Sequence, residues 1–431
     1  MRSLKFKEPD SKSSSWDTSV YLTASYLTGK AKADQLLNQL RKDFTGQKRA
    51  TAQSLFYGAL RHGHKIDSAL KELCSKPPQP ELKAIFLVTG YELLSAPDEC
   101  GPQIIHHAVE RSKRLTGKAQ TGFINAILRK LPSSLKSIPQ EQLAHYYSHP
   151  EWLVDRWKSD FSIETTKKLL EWNQQEPTSY FKIYQESADP HIKELFSPTQ
   201  WEHFYTLTPE VNWQRDLQPL LDTGQIYVKD PSTRIAPNLL APRPGELVLD
   251  LCAAPGGKAF DLAASMEQTG TLVAIDLPGN RIKPLAENLS KLPSEKFRTA
   301  LIEKDVLHLS RVDFEKIDLP TQYDAIMLDA PCSNTGVIQR RTDVKWRLRR
   351  SDFDRCSQLQ LQLLSTATKF LKPGGRLVYS TCSIETLENA KVVETFLASP
   401  NGQNFKLAQK VISYPWETGH DGAGAFLIVA R

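Results

Sequence analysis

The stretch LVLDLCAAPGGK, from Leu247 to Lys258, decides the fold. Leu247 to Leu251 form an apolar run of strand length, and the small residues after it end where a helical pattern begins. Small residues let a ligand approach the backbone, and the amides of a helix N-terminus favour a carboxylate or phosphate. Such a turn also serves simple packing, so its surroundings must decide. Beyond it, short strand-like runs at Leu272 to Ile275, Ala300 to Ile302, Ala325 to Leu328 and Leu377 to Ser380 alternate with helical stretches. That rhythm predicts parallel strands joined by crossover helices, an α/β doubly wound sheet. Phe405 to Val411 and Ala425 to Ala430 have no helix between them and are expected to close one edge as an antiparallel pair.

Ligands of open α/β sheets lie at the carboxyl ends of the strands. Asp276 ends the second strand, 26 residues after Asp250, where a carboxylate can accept hydrogen bonds from ribose hydroxyls. Asp305 follows the third strand and Asp329 ends the fourth. Each alone reads equally well as a solvated surface charge; their succession at strand ends argues for a site. The chain has neither a GxGxxG turn nor a phosphate-loop lysine motif, so hydride and phosphoryl transfer lose support. A dinucleotide and S-adenosylmethionine remain as ligands.

Two thiols share the same predicted edge, Cys332 after Asp329-Ala330-Pro331 and Cys382 after Ser380-Thr381. A free cysteine is more often a small buried hydrophobe than a catalyst. These two lie beside polar residues at strand ends, and thiolate is the strong soft nucleophile among side chains. The six cysteines form no CxxC pair, which argues against a disulfide framework or a structural zinc site, and no metal is expected. A reducing cytoplasm fits this usage.

Three regions are expected in 431 residues. Residues 1–148 read as an all-helical bundle, with apolar spacing at Leu55, Phe56 and Leu60 and again from Ile85 to Leu94, and with prolines between the runs. Residues 149–235 form a connector whose fold the pattern does not reveal, and residues 236–431 form the α/β domain. Residues 1–150 hold 22 Lys+Arg against 13 Asp+Glu, whereas the remainder holds 33 against 36. The asymmetry suggests a polyanionic partner, since bound cations release counterions from a phosphate backbone. Met1 to Ser15 lack the apolar stretch of a secretory signal, and no run reaches membrane-spanning length, so no membrane partner is expected.

Several motifs together resemble the RsmB/Sun (Fmu) family of bacterial ribosomal RNA cytosine-C5 methyltransferases, related to the NSUN proteins. They are CAAPGGK at Cys252 to Lys258, DAPCS at Asp329 to Ser333, Val344-Lys345-Trp346, and YSTCS at Tyr379 to Ser383. LFYGALR at Leu55 to Arg61 and GFINAILR at Gly122 to Arg129 are similar to its NusB-like RNA-binding domain, and YSHPEWLVDRW at Tyr147 to Trp157 to its connector. The resemblance implies a multidomain chain, a NusB-like bundle ahead of a Rossmann-like methyltransferase domain using S-adenosylmethionine. It implies that Cys252, Ala253, Ala254, Pro255, Gly256, Gly257 and Lys258 surround the methionine part of the cofactor. Asp276 would hold its ribose, Asp305 would lie by the adenine, and Asp329 would border cofactor and base, with Arg281 helping. Cys382 would attack C6 of a cytosine in small-subunit (16S) ribosomal RNA, and Cys332 would assist release. A cytoplasmic monomer is expected.

The chain departs from that pattern at three places. Asn334 stands where glycine is usual, Arg341-Thr342-Asp343 replace a common His-Pro-Asp, and Lys182-Ile183-Tyr184 replace an arginine-containing strand. From Arg340 to Arg355 there are seven Lys+Arg and three Asp+Glu, with Trp346 and Phe353 interleaved, a mixture suited to phosphate contact and base stacking. The competing readings are a noncatalytic RNA-binding assembly factor, a methyltransferase acting on protein or a small molecule, and an enzyme acting on transfer RNA.

Overall fold

Helices fill the N-terminal part of the chain, and two of them begin at clear start signals. Ser14 caps Ser15–Thr28, its side chain accepting from the Asp17 amide at 3.0 Å, and Pro80 is the first residue of Pro80–Ser95. Further helices are Gly46–Arg61, Gly63–Leu73, Gly101–Thr116 and Lys118–Lys136. The last of these runs on through Pro132, so proline is not confined to the spaces between helices as the sequence pattern suggested. Val20, Ile66, Ile85, Phe86, Val88, Leu128 and Leu131 pack into the core of the bundle. Gly58 of the LFYGALR stretch lies against Tyr91, whose ring a Cβ would overlap, so glycine sets the close approach of two helices. The computed structural model describes residues 6 to 431 except 7, 11, 30, 42, 117, 186–189, 293 and 294. Part of the Met1 to Ser15 stretch therefore lies outside the described residues.

By internal contacts the chain groups into two units: Met1–Glu176 with Ile338–Arg347, and Pro177–Val337 with Leu348–Arg431. The inclusion of 338–347 in the helical unit has visible causes. Lys345 Nζ donates to the Arg61 carbonyl at 2.9 Å, Trp346 Nε1 to the Leu60 carbonyl at 2.9 Å, and Arg61 donates to the Gln339 carbonyl at 3.1 Å. These bonds take Lys345 and the Trp346 indole N–H out of the set of groups in Arg340 to Arg355 suited to phosphate contact and base stacking. Lys345 is 1% exposed, and burial, followed by the Arg61 charge, holds its ammonium well below the ordinary lysine range. Phe353 is also buried and presents no face for stacking, whereas Arg341, Arg347, Arg349, Arg350 and Arg355 are exposed.

Of the connector 149–235, the first part forms the helices Glu151–Asp160 and Ile163–Gln174 of the first unit, and the second unit opens with the rest. This rest holds an antiparallel sheet of β1 (Phe181–Ile183), β2 (Phe196–Pro198), β3 (Phe204–Leu207) and β4 (Ile226–Val228), in the order β2-β3-β1-β4. Seven strands follow: β5 (Leu247–Leu251), β6 (Gly270–Asp276), β7 (Phe297–Glu303), β8 (Tyr323–Asp329), β9 (Leu371–Thr381), β10 (Phe405–Ser413) and β11 (Ala423–Ala430). Their order is β10-β11-β9-β8-β5-β6-β7, with β5 to β9 parallel and β11 antiparallel to both β9 and β10. This is a Rossmann-like sheet with the expected antiparallel edge. The order of strand addition reverses between the parallel neighbours β5 and β8, a switch point that opens a crevice at their carboxyl ends. No helix among the described residues is long and apolar enough to cross a membrane.

The small sheet is anchored through a buried carboxylate. Asp261, in the helix Gly257–Ser265, accepts from Lys182 Nζ and the Tyr184 hydroxyl, both at 2.7 Å, and pairs closely with Lys229. Lys182, one of the departures, is thus engaged inside the protein. Burial pushes Lys229 down to about 8 although Asp261 opposes the shift, and Lys229 also donates to the Gly257 carbonyl at 2.9 Å. Removing the carboxylate alone leaves buried cations unpaired, so Asp261→Ala is expected to cost about 3–5 kcal/mol of stability in urea denaturation. Pairing Asp261→Leu with Lys229→Met should restore much of that loss; equal stability of Asp261→Ala and wild type would contradict the anchor.

Candidate active site

The loop after β5 turns through two left-handed residues, Cys252 (φ 60°) and Gly256 (φ 98°), before the helix Gly257–Ser265 begins. Its backbone is held from the neighbouring strand: the Ala253 amide donates to the Ile275 carbonyl at 3.1 Å and the Ala254 amide to Asp276 Oδ2 at 2.8 Å. Arg281 binds the Ala254 carbonyl, and Asn288 Nδ2 donates to the Pro255 carbonyl at 2.9 Å. Asp276 therefore both ends β6 and fixes the loop. Its other oxygen takes the Leu277 amide at 2.8 Å, leaving lone pairs on each oxygen for further donors. Asp305 caps the short turn after β7, accepting from the Leu307 amide at 3.0 Å. The Lys304 amide bonds the Asp276 carbonyl at 2.9 Å, which brings the ends of β6 and β7 together.

One carboxylate of this edge entered the sequence reading only as a strand-end position, with no role assigned. Asp250 is 1% exposed, and neither of its carboxylate oxygens has a hydrogen-bond partner. Burial pushes it up to about 8, against the pull of Lys258 and with the support of Asp329 and Asp276. A buried carboxylate without donors calls for a proton or a cationic ligand.

On the other side of the crevice, Asp329 at the end of β8 takes Lys258 Nζ at 2.5 Å and the Ser380 hydroxyl at 3.0 Å. Burial opposes the Lys258 charge, but Asp329 outweighs it and holds the ammonium above the ordinary lysine range. Cys332 and Cys382 meet with their sulfurs 3.3 Å apart. Its hydrogen bond to Cys382, together with desolvation, raises the Cys332 thiol well above its ordinary range, so it remains protonated. Lys258, Asp329 and Cys382 line one pocket together with Ser232, Thr233 and Gly424. Cys252 is kept protonated by burial and the surrounding carboxylates.

The separation of the two thiols has a cause that the sequence reading missed. Glu388 is fully buried and accepts from the Ser333 amide at 2.8 Å, the Ser383 hydroxyl at 2.6 Å and Gln360 Nε2 at 3.2 Å, and it also takes the Ser333 hydroxyl. Ser333 and Ser383 are the residues directly after the two cysteines, so one carboxylate brackets both loops. Gly336 completes the junction: its amide bonds the Cys382 carbonyl at 3.0 Å, and a Cβ there would lie 2.7 Å from that oxygen. The only signal available was a carboxylate six residues beyond Cys382, which periodicity does not distinguish from a surface charge.

The comparisons agree with this geometry. Residues 237–417 match the family described as 16S rRNA methyltransferase RsmB/F, and residues 21–132 match the NusB family. Ribosomal RNA small subunit methyltransferase B of Cronobacter sakazakii is 31% identical over 389 residues, covering 85% of this chain and 86% of that protein. The probable ribosomal RNA small subunit methyltransferase B of Bacillus subtilis is 29% identical, with 82% and 81% covered. Among solved structures, PH0851 superposes over 98% of this chain and 100% of its own with a TM-score of 0.75 at 23% identity, a likeness of fold. A methyltransferase homologue from Pyrococcus horikoshii covers 67% of this chain and 97% of its own, with a TM-score of 0.55 at 26% identity.

Fold and crevice thus define a Rossmann-like methyltransferase joined to a NusB-type helical domain. More narrowly, the chain belongs to the RsmB/F family of 16S rRNA methyltransferases, which depend on S-adenosylmethionine. The residues present suit that cofactor, whose α-ammonium and sulfonium cations match the donorless Asp250 and whose ribose hydroxyls match the free lone pairs of Asp276.

If Glu388 sets the thiol spacing, weakening its bonds must slow methyl transfer. A misplacement near 1 Å costs about 100-fold, so Glu388→Gln is expected to lower kcat by about 10- to 100-fold in an initial-rate assay with labelled cofactor. Glu388→Ala, which strands several buried donors, should also lose about 1–3 kcal/mol of stability per donor. A Glu388→Gln enzyme with wild-type kcat would remove Glu388 from this role.

Proposed function

We propose that this enzyme methylates C5 of a cytosine in small-subunit ribosomal RNA through a covalent adduct between Cys382 and C6. The observation that carries the reading is the pair of thiols 3.3 Å apart at the strand ends, one of them in a pocket with Lys258 and Asp329. C5 of cytosine is too weak a nucleophile to accept a methyl group directly. Addition of the Cys382 thiolate forms a sulfur–C6 bond and moves the double-bond electrons onto C5, making it enamine-like. S-adenosylmethionine supplies the electrophilic methyl when bound. Asp329, which accepts from Lys258 Nζ at 2.5 Å, would border the base, where a proton bridged between its carboxyl group and N3 would offset the negative charge developing on the ring.

Transfer of the C5 proton to solvent water then returns the electron pair to the C5–C6 bond and expels the Cys382 sulfur. Cys332 supports this departure, because as a thiol it can donate a hydrogen bond to the leaving thiolate. On the cofactor side, Cys252 to Lys258 with Asp250 would hold the methionine end, Asp276 the ribose, and Asp305 the neighbourhood of the adenine. Exposed basic side chains of the helical unit, including Lys48 and Arg114, would engage RNA phosphates. The expected setting is a reducing cytoplasm, consistent with six free cysteines, and the expected state is a monomer.

The two thiols should separate in a test of turnover and adduct formation. Cys382→Ala is expected to abolish both methyl transfer and covalent RNA attachment. Cys332→Ala should attack and methylate but release poorly, leaving a protein–RNA adduct that shifts on a denaturing gel. An adduct from Cys382→Ala and none from Cys332→Ala would reverse the assignment. In bisulfite sequencing of RNA from a strain lacking the gene, one small-subunit cytosine should lose its mark. Loss only in transfer RNA would redirect the substrate, and failure to methylate any RNA despite cofactor binding would favour an assembly factor.

A further inference from the structure

The loop that carries Cys332 contains a residue whose side chain reaches the second thiol. Asn334 has φ 61°, a left-handed conformation that glycine and asparagine adopt most readily. Glycine is what the resemblance led one to expect here, so the backbone explains why asparagine can replace it. It does not explain what the added carboxamide does. Asn334 Nδ2 donates to the Cys332 carbonyl at 2.8 Å, and Oδ1 lies 3.3 Å from Cys382 Sγ. A carbonyl oxygen only accepts, so the NH2 end must face Cys332. The opposite orientation would press two acceptors together. The oxygen of Asn334 is therefore turned toward Cys382, where it can accept a hydrogen bond from the thiol but has no proton to offer a thiolate.

We propose that Asn334 governs the nucleophile of this enzyme by accepting the Cys382 thiol proton in a hydrogen bond, favouring the thiol over the thiolate before RNA binds. The proposal rests on the reading of Cys382 as the attacking group. It makes Asn334 a residue in contact with the reacting sulfur and gives it a consequence opposite to ordinary thiol activation. A glycine at this position would keep the turn and release the sulfur from the acceptor. The other titratable groups facing Cys382 are Cys332 after β8, Lys258 after β5 and Asp329 at the end of β8, and all three are retained in the variants below.

The test is the pH dependence of Cys382 alkylation by iodoacetamide in the full-length protein without RNA or cofactor, followed by peptide mass spectrometry. In this reaction the thiolate sulfur bonds to the acetamide carbon and iodide leaves. Asn334→Gly should shift the profile to lower pH and speed alkylation near neutrality about three- to tenfold, the effect of losing one modest hydrogen bond. Asn334→Asp, which places a carboxylate against the sulfur, should shift it to higher pH. Retention of the wild-type melting temperature by each variant would separate these effects from unfolding. A superimposable profile for Asn334→Gly, or a shift to higher pH, would overturn the proposal. The methyl-transfer profile should move with the alkylation profile. If only alkylation moves, the contact stands, but Cys382 is not the nucleophile and the control assigned to Asn334 falls with that reading.

Discussion

The burial of one carboxylate underlies the arrangement at the carboxyl ends of β8 and β9. Glu388 has no exposure to water, and a charge removed from water must find donors within the protein. Among the donors it finds are the Ser333 amide, the hydroxyls of Ser333 and Ser383, and the Gln360 amide. Because two of these residues directly follow the two cysteines, satisfying the carboxylate also fixes the loops that carry the thiols. Gln360 extends the bracket by donating to the Pro331 carbonyl at 2.9 Å from the helix Arg350–Ala367. The 3.3 Å sulfur separation is therefore a consequence of a polar network in the core.

The opposite wall of the crevice uses carboxylates differently. Asp276 spends one lone pair of each oxygen on backbone amides and keeps the rest available, while Asp250 receives no donor at all. One wall is internally satisfied; the other holds acceptors in reserve for a cationic, hydroxyl-bearing cofactor. Lys258 and Asp329 join the two. The lysine belongs to the loop after β5 and the aspartate ends β8, so their 2.5 Å contact links the cofactor loop to the edge bearing the thiols.

Positive charge is likewise divided between surface and interior. Lys345, Lys229 and Lys182 would count toward an RNA-binding face by composition, yet each is engaged inside the protein, Lys345 at a backbone carbonyl and the other two at Asp261. The exposed arginines around 341–355 keep the electrostatic character of that stretch, without an exposed Phe353 to stack on bases. Asn334 shows the same limit of composition from another side. Its place in the turn follows from φ 61°, but its effect on Cys382 follows from which end of the amide the Cys332 carbonyl accepts.

The sequence by itself determined the sheet, because strand-length apolar runs separated by helical periodicity leave few other arrangements, and the antiparallel edge followed from two strands without a helix between them. It also placed Cys332, Cys382, Asp276, Asp305, Asp329 and the Cys252 to Lys258 loop on one edge, since strand-end position can be read locally. The antiparallel sheet of β1 to β4 was hidden because its strands are three or four residues long, too short for alternation to register. Only the tertiary structure decided that Glu388 would bracket the cysteine loops, that Asp250 would lack a donor, and that residues 338–347 would group with helices nearly three hundred positions earlier. Burial and hydrogen-bond partnership are properties of the assembled chain: a glutamate or lysine looks the same in sequence whether water or a carbonyl 2.9 Å away satisfies it.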